Sequence, residues 1–147
     1  MVETTSPFVA EDAIMKRWLT EWDARTFTTF ENAQFTPPPL LEPGGELVEV
    51  AWARVLIRAK ESMQETLGPP GSRRFQRKSE VFVQLFVPVD TGTAEANTLA
   101  QIARAVFEGV KINSDIHFGA GIIEPIGVTD RWYQVNVTVP FDYWETK

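Results

Sequence analysis

Three short stretches of this 147-residue chain have residue types and spacing that could serve chemistry, and a fourth could serve binding. Asp90-Thr91-Gly92 follows the apolar run Val87-Pro88-Val89. Two aspartates brought together across a two-fold axis share one proton, and so divide acid and base roles. His117, the only histidine, stands between Ile116 and Phe118. A lone histidine among apolar residues is more often packed than catalytic, and no second one exists to form a metal pair. Gly119-Ala120-Gly121 begins like a dinucleotide-binding turn. It lacks the third glycine, and isoleucines and a proline follow where a helix is needed. The fourth stretch is Arg73, Arg74, Phe75, Arg77 and Lys78, four cations around one aromatic ring. That pattern suits a nucleic-acid contact or an anchor on another protein; a solvated basic strand end is the plainer reading.

These residues must be positioned by elements that hydropathy patterning predicts. Ser6-Pro7 resembles a helix start, and Met15, Trp18, Leu19 and Trp22, with Val9 and Ile14, predict an amphipathic helix over 7–24. Residues 26–35 predict a short strand. Thr36-Pro37-Pro38-Pro39 forbids helix and favours an extended connector, and Pro43-Gly44-Gly45 marks a turn. A strand is predicted over 47–59, with Val48, Val50, Trp52 and Leu56 on one face. Its alternation is imperfect, which a bulge would explain. Residues 60–72 predict a polar connection, expected to be a mobile tip. The clearest strand covers 73–87: Val81, Val83, Leu85 and Val87 share one face, and its basic outer half extends beyond a compact domain.

From Thr93 the period changes. Ala96, Leu99, Ala103, Val106 and Phe107 predict a helix over 94–108, with Gly109 as its C-terminal cap. Retroviral-type aspartic proteases, homodimers of chains near this size, continue from Asp-Thr-Gly in a loop and strand instead. The favoured reading of Asp90 is therefore a strand-to-helix loop, with Asp90, Thr91 or Thr93 available to cap the helix. Residues 116–128 predict one irregular strand or two short ones, and strict alternation from Tyr133 to Phe141 predicts a closing strand over 132–141. The expected fold is a single-domain α+β protein: one antiparallel or mixed sheet, two helices packed on one face and a long projecting hairpin.

Composition narrows the function classes. The net charge of -6 argues against a whole molecule drawn to nucleic acid. Absence of cysteine removes disulfides, thiol catalysis and cysteine-bound zinc. No signal-peptide pattern follows Met1 and no apolar run approaches the ~18 residues of a membrane span, so a soluble cytosolic protein is expected.

The order of motifs resembles a known family. A tryptophan-bearing helix leads to Phe30-Glu31-Asn32-Ala33-Gln34-Phe35-Thr36-Pro37-Pro38, then to a strand with Trp52. A basic strand ending in Phe86-Val87-Pro88, a Thr-Gly loop and the Ala96-to-Phe107 helix follow, and Trp132-Tyr133-Gln134-Val135-Asn136-Val137 stands near the end. Over nearly the whole chain this resembles the tail terminator (tail completion) proteins of long-tailed bacteriophages and phage-like particles. It departs from them at Lys78-Ser79-Glu80, where the family often carries a glycine. The resemblance implies a non-enzymatic structural protein of the virion, without cofactor. It implies a homohexameric ring that caps the tail tube, stops its polymerisation and offers the head-docking surface. The implied partners are further copies of itself, the tail tube protein and a head–tail connector or head completion protein. DNA would pass through the lumen without specific binding, and no membrane is involved. Candidate contacts are Arg73, Arg74, Phe75, Arg77 and Lys78 at the hairpin tip, and Pro37, Pro38, Pro39 and Leu40 in the connector. The alternatives are a homodimeric protease using Asp90-Thr91-Gly92, and a small nucleic-acid-binding module using residues 73–78.

Overall fold

The computed structural model describes residues 7–23, 25–31, 40–41, 47–48, 50–89, 92–113, 115–129 and 132–147. Helix α1 covers Pro7–Trp22, and is followed by strand β1 (Phe27–Phe30). Two short strands, β2 (Leu40–Leu41) and β3 (Leu47–Val48), pair with each other in a separate small sheet. Then come β4 (Trp52–Gln64), β5 (Arg74–Pro88), helix α2 (Ala94–Phe107), β6 (Lys111–Ile112), β7 (Ile116–Phe118), β8 (Ile122–Thr129) and β9 (Trp132–Thr146).

The main sheet has seven strands in the order β1-β4-β5-β9-β7-β6, with β8 also pairing β9. β1 runs parallel to β4 and every other pair is antiparallel, so the sheet is mixed. The α+β class is as expected, with the sheet dominating. β5 lies at its centre and pairs along its whole length with β9, from Arg74↔Thr146 to Pro88↔Trp132.

Patterning explains which side chains are buried. Val81, Val83, Leu85 and Val87 alternate along β5, as do Val135, Val137, Val139 and Phe141 along β9, and all are buried. They share one core cluster with Ala10, Ile14, Trp18 and Trp22 of α1 and Ala96, Ala100, Ala103, Val106 and Phe107 of α2. The buried residues of α1 recur every fourth position, so the stripe is narrower than predicted: Val9 and Leu19 are exposed. Trp18 and Trp22 stack with centroids 4.4 Å apart. Each indole N–H donates to a threonine, Trp18 Nε1 to Thr28 Oγ1 at 3.2 Å and Trp22 Nε1 to Thr26 Oγ1 at 3.1 Å. A buried indole usually satisfies its polar edge in this way. Arg17 Nε donates to the carbonyl of Val106 at 2.6 Å, tying α1 to the end of α2.

The predicted faces of β4 are reversed. Ala51, Ala53 and Val55 join the core, whereas Trp52 joins Phe86 and Trp132 in a second cluster. The core already holds two tryptophans and Phe107 from the helices, so small residues suit the strand facing them. On the other face Trp52 stacks on Phe86 at 4.1 Å and meets Trp132 edge-on at 6.1 Å. The strand expected over 47–59 is two separate strands, and β4 runs on to Gln64 with its bulge between Ala59 and Glu61. β9 likewise runs past its predicted end at Phe141, its alternation continuing through Tyr143 and Glu145. The strand expected over 26–35 is described only from Phe27 to Phe30.

Candidate assembly surface

The segment after Thr93 is a helix, with Glu95 in its first turn. Asp90 and Thr91 lie outside the described residues. Thr93 occupies the N-cap position, but its side chain makes no capping hydrogen bond; only its carbonyl accepts, from Asn97 N at 2.9 Å. Gly109 ends the helix at φ +68°, a conformation suited to glycine. Among the described residues no cluster of three or more metal-ligating side chains occurs. His117 packs its ring edge-on against Trp144 at 5.3 Å. It borders a cleft of about 380 Å³ shared with Lys60, Lys78 and Asp142.

The basic tip belongs to a ribbon of three strands rather than a two-stranded hairpin. β4 beyond Arg58, β5 up to Glu80 and β9 beyond Pro140 run side by side. Every residue from Arg58 to Ser72 is exposed. Within this arm two of the predicted cations, Arg74 and Arg77, find carboxylate partners. Arg77 donates to Glu145 Oε1 through Nη2 at 2.8 Å and Nε at 3.3 Å. Its guanidinium lies 5.0 Å from the Phe75 ring centroid. Arg74 Nε is 3.4 Å from Glu65 Oε2, and its guanidinium lies 5.0 Å from the Trp144 ring. Trp144 Nε1 donates to the same Glu65 oxygen at 3.0 Å. Arg73 exchanges two main-chain hydrogen bonds with Lys147, at 2.9 and 2.8 Å. Lys78 is exposed, level with Glu61 and Asp142 on the flanking strands.

Phe75 is therefore half-buried beneath Arg77 and does not project as an anchor. The arm's outward apolar groups are Leu67, 95% exposed, and Met63, 44% exposed. Sequence reading missed both, because each sits in a polar segment without periodicity. Of the connector candidates, Pro37, Pro38 and Pro39 lie outside the described residues, and Leu40 is described only through its main-chain pairing with Val48.

The sheet presents two further surfaces. Among the described residues β8 pairs only with β9, and Ile122, Ile126 and Val128 are exposed along it. Pro125 and Gly127 flank an irregularity in its register. At the far side of the sheet β1 covers β4 only from Trp52 to Val55, leaving Leu56–Gln64 unpaired on that side among the described residues. Charge is divided unevenly. Residues 58–80 and 140–147 carry seven Lys and Arg against five Asp and Glu, net +2; the remainder carries seven against fifteen, net -8. Beneath the arm Tyr143 is buried, and burial raises its phenol above the ordinary value of 10.0, with the Glu145 carboxylate adding and Arg77 opposing.

No family model matches the chain, and no curated protein matches it. Fifteen solved chains do. One, whose name says nothing of its function, is 14% identical, with 90% of this chain and 94% of its own covered and a TM-score of 0.60. At that identity the likeness is one of fold alone.

Proposed function

We propose that this chain is a structural, non-enzymatic subunit that assembles into a ring at the head-proximal end of a phage-type tail, as a tail terminator does. The observation that carries the reading is the condition of the arm. Arg74 and Arg77 pair with Glu65 and Glu145, while aliphatic Leu67 and Met63 face solvent. A nucleic-acid site keeps its cations free for phosphate; an arm with two of its arginines held by carboxylates and with an apolar tip suits a protein neighbour. The reading also rests on the order of motifs set out from the sequence, and it takes both helices to cover one face of the sheet. The ring would hold copies of this chain, sit on the tail tube protein and present its other side to the head. No helix among the described residues is long and apolar enough to cross a membrane.

The helix that starts directly after Gly92 and Thr93 favours this reading over the aspartic protease, whose chain would extend there. The test is addition of the purified protein to growing tail tubes, viewed by negative-stain electron microscopy. Capped tubes of fixed length are expected, both with the native chain and with Asp90→Asn. Tubes that grow unchanged, or peptide cleavage lost on Asp90→Asn, would overturn the proposal.

A further inference from the structure

We infer that the free edge of β4 (Leu56–Gln64) in one copy pairs with the β8 edge (Ile122–Thr129) of a second copy, making one sheet continuous between neighbours. This deepens the ring reading and rests on it. The two edges lie at opposite sides of the same sheet, so the contact is head-to-tail and each subunit offers one of each. Such heterologous contacts close into rings when the rotation per subunit divides the circle. Their lengths match, nine residues of β4 left by β1 against eight in β8.

Strand directions match too. β4 is antiparallel to β5, β5 to β9 and β9 to β8. A second copy in the same orientation, displaced along the strands by the six β9 residues that separate Thr138 from Trp144, therefore brings its β4 antiparallel to β8, the more stable pairing. Exposed aliphatic residues stand on both edges, Met63 on one and Ile122, Ile126 and Val128 on the other. An edge of that composition is a template for another strand. Pro125 lacks an N–H, so the Ile122–Glu124 half supplies the main-chain bonds and side chains supply the rest. Charge favours the same occupant: the arm's surplus of +2 approaches a neighbour whose remaining chain carries -8.

The chain has no cysteine, so introduced thiols report without background. Met63 and Ile122 point to the same face of the sheet, opposite Gln76 and Thr138 respectively. The double variant Met63→Cys/Ile122→Cys, treated with a short bifunctional maleimide, is expected to give a ladder of covalent multimers. Each single variant is expected to give none beyond trace dimer. Ile126→Lys with Val128→Lys, both at exposed positions, should abolish the ladder in that background while leaving the thermal unfolding midpoint unchanged. Sedimentation of the same samples separates the failures. Multimers of the expected mass without a ladder would overturn the edge pairing and leave the ring standing. Monomers throughout, with no ladder, would overturn both. Equal cross-linking by one single variant would also overturn the pairing, because it marks a two-fold contact.

Discussion

At the scale of single residues, the pair that decides how the arm behaves is Arg77 with Glu145. Their side chains are only 21% and 11% exposed, so removing one partner leaves the other poorly solvated. Glu145→Ala is expected to destabilise the fold by about 1–3 kcal/mol in urea unfolding, consistent with losing a charge-assisted hydrogen bond. Tyr143 gives a pH signature. Its phenol is raised above 10.0, so the folded chain holds the proton more tightly than the unfolded one. Its contribution is fully present below about pH 10 and is lost as pH rises through the folded value. Native stability should therefore fall above pH 10 more steeply than that of Tyr143→Phe, measured as thermal midpoints from pH 8 to 11. Trp18, fully buried and hydrogen-bonded to Thr28, anchors α1. Trp18→Ala should cost about 3–5 kcal/mol by the cavity it leaves.

At the scale of elements, Gly121 sets the turn into β8. A Cβ there would lie 2.7 Å from Arg104 Cγ and 3.1 Å from Val139 Cγ2, while its N–H donates to Glu108 Oε2 at 2.6 Å. Gly121→Ala should displace β8 from α2 and cost about 1–3 kcal/mol, with faster amide exchange at Ile122–Glu124 as the local readout. How legible the elements were follows from their periodicity. α2 and β5 were readable because their apolar residues repeat without interruption, at helical and twofold spacing respectively. β9 was cut short because Pro140 and Asp142 interrupt its apolar run, although Tyr143 keeps the alternation. The faces of β4 were misassigned because size was taken as the mark of the core; Ala51 and Ala53 face it since Trp18 and Trp22 already fill it. The arm's basic residues were legible in the sequence, but the pairing of Arg77 with Glu145 was not. Glu145 lies 68 positions from Arg77, a separation no local pattern conveys.

At the scale of the whole molecule, the fold offers, among the described residues, a sheet with two open edges and an arm with an aliphatic tip, and the arm and the remainder of the chain differ in the sign of their net charge. Leu67→Asp, at a position 95% exposed, should leave stability within about 0.5 kcal/mol of native, as surface changes usually do. It should nonetheless weaken binding to tube ends, since it removes the arm's outermost apolar group. The central claim is that the molecule works by associating with its own kind. Sedimentation velocity over rising protein concentration, in low salt and with tail-tube fragments present, tests it most directly. A closed species near six copies, forming cooperatively and retaining its mass with Asp90→Asn, is the expected result. A single monomeric boundary at every concentration, with and without tube fragments, would contradict it.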